Sequence, residues 1–117
     1  MPDKETVLQE AQRLVHGERL AAYGHPAEDY ACTAALFNAI WGPNGADRLK
    51  CPLTPTDVIL GMIAVKMSRE SRHPKRDNRV DLAGYAGCLD MVHEKNAEVA
   101  HEQASKLETG TSARSSS

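Results

Sequence analysis

Basic and acidic side chains recur in the sequence at spacings that place them on helix faces. Lys66 and Arg69 lie three residues apart, and Asp77, Asp81 and Tyr85 follow at steps of four. Because residues three and four apart share one face of a helix, the first pair forms a basic strip and the others form an acidic strip. If the two helices form a hairpin, the strips face each other.

These two strips suit the binding of a nucleotide polyphosphate. Lys66 and Arg69 supply cationic hydrogen-bond donors to phosphate. Asp77 and Asp81 can hold Mg²⁺, which proteins usually bind through one or two carboxylates, water and phosphate oxygens. The two aspartates are therefore candidate metal ligands and candidate catalytic residues. The alternative is a structural salt-bridge network in which Lys66 pairs with Asp81 and Arg69 with Asp77.

A second constellation surrounds the sequence Tyr23-Gly24-His25-Pro26. Arg19 precedes Tyr23 by one helical turn, and Gly24 permits a sharp backbone turn beside the aromatic ring. Such a loop can stack on a base and bind a phosphate, and His25 can transfer protons near neutral pH. The alternative is a tight corner in which Tyr23 and His25 only pack and cap helices.

Helical periodicity and helix-boundary residues indicate four helices that position these groups. They are predicted over residues 3–21, from Pro26 to Trp41, from the N-cap Thr54 to about Arg72, and from about Asp77 or Asn78 to Lys106. Gly84 and Gly87 in the fourth helix predict close approach by another helix. The sequence therefore predicts an all-α, four-helix bundle over residues 1–106, followed by a disordered tail over residues 107–117.

Length and charge limit the possible partners. A chain of 117 residues forms one domain, and its net charge of -2 argues against binding duplex nucleic acid. The basic turn over residues 72–76 lacks interleaved aromatic residues, so it favours a phosphate pocket over a nucleic-acid groove. No stretch approaches the ~20 apolar residues that span a bilayer, and the three scattered cysteines are expected to be reduced. A cytoplasmic protein is expected.

Several motifs together resemble a known family over about residues 10 to 95. The motifs are Arg19-x3-Tyr23-Gly24-His25-Pro26, Trp41 ahead of a capped helix, Asp57-x8-Lys66-x2-Arg69, and Asp77-x3-Asp81-x2-Gly84-Tyr85-Ala86. They resemble a family of small phage and prophage proteins of largely uncharacterised function. That family in turn resembles the all-α, MazG-like nucleoside triphosphate pyrophosphohydrolases and the phage nucleotide-modification-associated domains.

The resemblance implies a MazG-like bundle that forms a homodimer or homotetramer through its long helices, with a nucleotide pocket among them. MazG-like enzymes cleave between the α and β phosphates, using Mg²⁺ held by carboxylate pairs on two helices. This sequence has Lys66 and Arg69 where one of those pairs would lie, and Asp77 and Asp81 remain on the other helix. Such a replacement removes metal ligands and strengthens direct phosphate binding.

The sequence therefore predicts a phage-type nucleotide-binding protein. The candidate ligand-binding residues are Arg19, Tyr23, Gly24, His25, Lys66, Arg69 and Tyr85, and the candidate catalytic residues are Asp77, Asp81 and His25. Tyr23, His25 and Tyr85 are expected to line the base or sugar region. Three functions stay open: a Mg²⁺-dependent nucleoside triphosphate pyrophosphohydrolase acting on nucleotide pools, a non-catalytic protein that sequesters a nucleotide signal of host defence, and a structural oligomerisation protein.

Overall fold

The computed structural model describes the backbone of residues 4–115 and the side chains of residues 4–109. Within the described backbone the chain forms no strand; its helices are α1 (Val7–His16), α2 (Glu18–Tyr23), α3 (Pro26–Trp41), α4 (Pro55–Arg72) and α5 (Arg76–Ser115). Helices α1 and α2 together occupy the first predicted helix. The all-α class and the four predicted helical segments are therefore confirmed.

The first predicted helix is interrupted at Gly17. This residue has φ -113° and ψ -102°, outside the helical region. A β-carbon at Gly17 would lie 2.6 Å from the carbonyl oxygen of Arg13, a distance that real side chains do not tolerate. Gly17 therefore lets α2 leave the line of α1, which the apolar periodicity of the segment did not indicate.

The boundaries of α3 and α4 follow the predicted capping residues. The His25 side chain accepts a hydrogen bond of 3.0 Å from the Ala27 backbone N–H, and Pro26 opens α3. At α4, the Thr54 hydroxyl accepts from the Asp57 N–H at 3.2 Å, and the Thr54 N–H donates to the Asp57 carboxylate at 2.9 Å. These reciprocal bonds satisfy N–H groups that have no partner within the helix.

Helix α5 is longer than the sequence predicts. It begins at Arg76 and continues to Ser115, whereas the predicted end is near Lys106. The side chains from Asn96 to Thr109 are all exposed. This segment contains three Ala and three Glu, which have high intrinsic helix propensity. The predicted disordered tail over residues 107–117 lies partly outside the described residues.

The core lies where α1 and α4 pack against α5. Its central cluster consists of Val15, Ile59, Tyr85, Cys88 and Val92. A β-carbon placed on Gly84 would lie 3.4 Å from the Val15 side chain, so the predicted close helix approach is confirmed, with α1 as the neighbour. None of the helices in the described part of the chain is both long and apolar enough to cross a membrane.

Candidate functional site

Asp81 joins three helices through two ion pairs. Its Oδ2 atom lies 2.8 Å from Lys66 Nζ of α4, and its Oδ1 atom lies 3.0 Å from Arg19 Nη2 of α2. The side chains of Lys66 and Asp81 are only 15% and 16% exposed, whereas that of Arg19 is 42% exposed. We call these three residues the ionic triad. Its two cations and one carboxylate leave one positive charge in excess.

The triad agrees with one of the predicted salt bridges and adds the contact of Arg19 with Asp81, which the sequence did not indicate. The Lys66–Asp81 pair is the one predicted for a structural network. Arg19 lies 62 residues from Asp81 in the sequence, so no local spacing relates them. The bend at Gly17 redirects the segment that carries Arg19.

A cleft rich in basic side chains lies at the corner between α4 and α5. It has a volume of about 450 Å³ and is lined by Ser68, Arg69, Arg72, His73, Lys75, Asp77 and Asn78. We call it the basic cleft. Arg69, Arg72 and Lys75 form no ion pair with any side chain of residues 4–109, so the predicted Arg69–Asp77 pair is absent there. By contrast, the nearby Arg79 is paired with Glu70 at 2.5 Å.

Glu70 fixes the backbone of the turn that carries the basic cleft. Its carboxylate accepts a 2.8 Å hydrogen bond from the Lys75 N–H and a 3.3 Å bond from the Asn78 amide. These bonds, the Lys75 N–H first among them and the Arg79 guanidinium next, hold the pKa of Glu70 below its usual range. Asn78 is 7% exposed and also donates to the His73 carbonyl at 3.4 Å. Hydrogen bonds of Glu70 and Asn78 thus fix the backbone of the turn, while its basic side chains are exposed to solvent.

A second and larger cleft lies beside α2 and the start of α3. It has a volume of about 650 Å³, and its lining includes Glu18, Arg19, Tyr23, Gly24, Asp29 and Tyr30. We call it the aromatic cleft. The Tyr23 ring is 67% exposed, whereas Tyr30 is half-buried, and burial raises the pKa of its phenol far above the usual value. Burial of Tyr30 thus favours the neutral phenol, whose hydroxyl can donate a hydrogen bond.

Two residues of the predicted loop have conformational roles. Gly24 has φ 77° and ψ -166°, a region that is essentially restricted to glycine. The Nδ1 atom of His25 is occupied by the Ala27 N–H, as in the predicted capping alternative. Proton transfer by His25 stays a prediction. It would have to use the Nε2 atom, because Nδ1 already accepts the Ala27 hydrogen bond.

Tyr85 lies elsewhere than predicted. The sequence places it at the base or sugar region because it follows Asp81 by four residues. In the structure it is 7% exposed and packs within the core cluster. The ring is large and mostly apolar, so it is buried under α1 and α4 while Asp81, one turn earlier, reaches the edge of the core. Tyr30, which the sequence analysis did not select, lines the aromatic cleft instead.

The carboxylates are poorly placed for Mg²⁺. Both oxygens of Asp81 are bonded to cations, and a metal ion there would leave the mostly buried Lys66 ammonium without its counter-charge. Asp77 is exposed and lines the basic cleft. Among the described side chains, no three of the His, Cys, Asp and Glu types lie close enough together to hold one metal ion. The residues present do not fit the predicted metal site.

Comparison with known proteins shows the family of the chain. The family model described as a domain of unknown function, DUF6378, matches residues 6–93, which carry both clefts and the ionic triad. The chain is 39% identical over 95 residues to the Gene 55 protein of Mycobacterium phage D29, covering 80% of this chain and 58% of that protein. It is 33% identical over 88 residues to the Gene 55 protein of Mycobacterium phage L5, covering 74% of this chain and 52% of that protein.

The chain thus spans little more than half the length of these curated relatives. No solved structure matches it. The family model covers three quarters of the sequence and all of the candidate site, from Arg19 to Tyr85. The chain therefore belongs to the DUF6378 family, a phage protein family of unknown function.

Proposed function

We propose that this chain binds a nucleotide through its phosphates, which occupy the basic cleft. The observation that carries the proposal is the grouping of Arg69, Arg72 and Lys75 in one cleft, with no ion-pair partner among the described side chains. The three cations outnumber the one carboxylate of the cleft, Asp77, so the cleft carries a positive charge and a bound anion relieves the repulsion among the cations. Arginine in particular matches phosphate oxygens with two parallel hydrogen bonds.

The wider surroundings of the basic cleft favour a nucleotide over a simple anion. Lys66 lies one helical turn before Arg69, and its partner Asp81 also binds Arg19 at the edge of the aromatic cleft. The exposed Tyr23 ring there can stack on a base, and the Asp29 carboxylate can accept a hydrogen bond from an exocyclic amino group. The resemblance to MazG-like proteins, which act on nucleoside triphosphates, supports the same ligand class.

The proposal is binding without turnover. Hydrolysis of the MazG type depends on carboxylates that hold Mg²⁺, and both oxygens of Asp81 are already bonded to Lys66 and Arg19. A protein that retains its ligand unchanged suits the sequestration of a nucleotide signal in the infected host. A pyrophosphohydrolase acting on nucleotide pools is the rival function, and it differs in a directly measurable product.

Isothermal titration with three ligands tests the proposal. The ligands are a nucleoside triphosphate, the corresponding nucleoside and inorganic tripolyphosphate, each with and without Mg²⁺, followed by chromatography of the mixtures. We expect the triphosphate to bind most tightly, tripolyphosphate more weakly and the nucleoside weakest, with every ligand recovered intact. Release of monophosphate and pyrophosphate would establish the hydrolase instead. Absence of binding across all three ligands would refute a nucleotide site.

A matched pair of variants assigns binding to the basic cleft. Arg72→Gln removes a charge from the cleft, whereas Arg48→Gln removes the same charge from the exposed loop between α3 and α4. Loss of one charge-assisted hydrogen bond costs about 1.5–3 kcal/mol, so Arg72→Gln should weaken triphosphate binding about tenfold or more. Arg48→Gln should leave the affinity within about twofold, because exposed charges at a distance are screened by salt. Equal effects of the two variants would contradict the assignment.

A further inference from the structure

The aromatic cleft brings a cation, a carboxylate and an aromatic ring to one surface. Arg19, Tyr23 and Asp29 all line it, and its volume of about 650 Å³ lies within the ~300–1,000 Å³ that is typical of small-molecule sites. Burial is the main cause that raises the pKa of the Tyr30 phenol; the Asp29 carboxylate also raises it, and the Arg19 guanidinium lowers it. The two opposite charges therefore lie close to the same ring.

Arg19 keeps hydrogen-bond donors for a ligand although it pairs with Asp81. A guanidinium carries N–H groups on each of its nitrogen atoms, and the bond of 3.0 Å to Asp81 engages Nη2. The Arg19 side chain is 42% exposed and lines the aromatic cleft, so its other N–H groups are accessible there. Because Asp81 already orders the guanidinium, binding a ligand costs little further side-chain entropy.

Asp29 offers hydrogen-bond acceptors to the same cleft. Its carboxylate forms no ion pair with any side chain of residues 4–109. Glu18, the other carboxylate of the lining, is 77% exposed, and its Oε1 atom lies 3.9 Å from Arg13 Nη1. An ionised carboxylate only accepts hydrogen bonds and repels phosphate. The aromatic cleft therefore suits a neutral part of a ligand that carries N–H donors.

Guanine is the common base whose edges match this arrangement. Its N7 and O6 atoms accept hydrogen bonds, and arginine is the side chain that most often binds them. Its N1–H and N2 amino groups are parallel donors on the next edge, and the oxygens of one carboxylate can accept both. Adenine would turn its N6 amino group toward the guanidinium and its N1 acceptor toward the carboxylate, and both contacts are unfavourable. The pyrimidines lack the N7 acceptor.

We propose that the aromatic cleft selects guanine, with Arg19 bound to N7 and O6 and Asp29 bound to N1–H and the N2 amino group. This selectivity rests on the proposed function, because it names the base of the nucleotide whose phosphates occupy the basic cleft. The Tyr23 ring, which is 67% exposed, stacks on the base. Stacking adds affinity for every base, so the choice among bases belongs to Arg19 and Asp29.

Isothermal titration with triphosphates that differ only in the base tests the selectivity. Hypoxanthine differs from guanine only in lacking the N2 amino group. Loss of its bond to Asp29 should weaken binding about tenfold or more relative to the guanine nucleotide. The adenine nucleotide should bind more weakly still. Equal affinities of the guanine and adenine triphosphates would overturn the guanine selectivity and leave the proposed function standing.

Asp29→Asn should change the preferred base. Xanthine carries an O2 carbonyl in place of the guanine N2 amino group, and the new amide can donate an N–H to it. The guanine triphosphate should therefore lose about tenfold in affinity, and the xanthine triphosphate should gain by a similar factor. A folding defect would not produce that gain. A ratio of the two affinities that Asp29→Asn leaves unchanged would overturn the proposal.

Glu28→Gln is the matched control for Asp29→Asn. Glu28 is exposed in the same first turn of α3, and it does not line the aromatic cleft. The variant removes the same charge from the same helix end, so it should leave the ratio of guanine to xanthine affinities unchanged. An equal change of the ratio in both variants would show that charge alone, without the hydrogen bonds of Asp29, decides it and would overturn the proposal.

Guanosine without phosphate separates this inference from the proposed function. In nitrogen-15 NMR, guanosine should shift the amide signals of Tyr23 and Tyr30, and adenosine at the same concentration should shift them less. Such shifts in a protein that does not bind tripolyphosphate would refute the phosphate site and support the guanine site. Absence of these shifts with guanosine, or equal shifts with adenosine, would overturn the guanine site.

Discussion

Both oxygens of Asp81 are bonded to cations from other helices. This arrangement favours a structural role for Asp81 over a metal-binding role. Lys66 and Asp81 lie near the edge of the core with about one sixth of each side chain exposed. An ammonium in such a place depends on its carboxylate, because desolvation is costly for an unpaired charge. At the scale of single residues, the triad is therefore part of the fold, whereas the cations of the basic cleft form no ion pair with the side chains of residues 4–109.

Asp81→Asn should destabilise the fold much more than Asp77→Asn. Breaking a buried pair by removing one partner costs ~3–5 kcal/mol, and the partial exposure of Asp81 places it near the lower end of that range. Asp77 is exposed, so Asp77→Asn should change the free energy of unfolding by no more than ~0.5 kcal/mol. Urea unfolding followed by circular dichroism measures both values. Similar effects of the two substitutions would show that the triad is not a stabilising unit.

The sequence could reveal some of these residue contacts and not others. Lys66 and Asp81 were predictable partners because each belongs to a helical strip and the two helices are joined by a short turn. The contact of Arg19 with Asp81 depends on how α2 leaves α1 at Gly17, which only the tertiary structure determines. The burial of Tyr85 has the same origin, since spacing places it beside Asp81 but does not say which neighbour reaches the core.

At the scale of elements, the helix boundaries that are marked by a capping residue or a proline were predictable, and the other boundaries were not. Helix α3 begins and ends as predicted, and the Thr54 capping box and Pro55 mark the start of α4. Gly17 lacks such a signal, because a single glycine within a periodic segment is compatible with a continuous helix. The extension of α5 beyond Lys106 was missed because residues 107–115 have no apolar stripe and are rich in Gly, Ser and Thr, which have low intrinsic helix propensity.

The corner between α2 and α3 requires glycine at position 24. An alanine at φ 77° and ψ -166° is strained, so Gly24→Ala should lower the free energy of unfolding by about 1–3 kcal/mol. Gly61→Ala is the control, because Gly61 lies within α4 and a β-carbon there meets no atom within 4 Å. It should instead stabilise the protein by up to ~1 kcal/mol. Thermal and urea unfolding compare the two, and a neutral effect of Gly24→Ala would contradict this account of the corner.

The turn between α4 and α5 should weaken in acid because of Glu70. Its pKa is lowered from an ordinary value of 4.5, first by the Lys75 N–H and next by Arg79. A lowered pKa in the folded state means that the ionised carboxylate contributes stability above about pH 4.5, and that this contribution is lost as the pH falls through the lowered pKa. The difference in unfolding midpoint between the natural sequence and Glu70→Gln should therefore be largest at neutral pH.

That difference should shrink as the pH falls below about 4.5. Glu102→Gln is the matched control, because Glu102 is exposed on the projecting part of α5 and makes no ion pair with a described side chain. Its effect should be small at every pH. A Glu70→Gln effect that stayed constant from neutral pH into the acid range would show that the hydrogen bonds to Glu70 do not depend on its charge.

At the scale of the whole molecule, the packed helices carry two clefts, and the end of α5 projects from them. Arg19 of the ionic triad lines the aromatic cleft, whereas the lining of the basic cleft includes residues that lie about one helical turn from Lys66 and Asp81 along α4 and α5. The sequence predicted the basic corner from the charges of residues 66–77. It also indicated a second constellation around Tyr23, but it did not indicate the ion pair between Arg19 and Asp81 that links that region to Lys66.

The central claim is that nucleotide phosphates bind at the basic cleft, and nitrogen-15 NMR of the whole chain tests it most directly. A nucleoside triphosphate is titrated into the labelled protein while the backbone amide signals are followed. The account predicts saturable shifts centred on residues 68–78, with smaller shifts near Tyr23 and Tyr30 and none in the loop that carries Arg48. Spectra that do not change, or shifts confined to other parts of the chain, would contradict it.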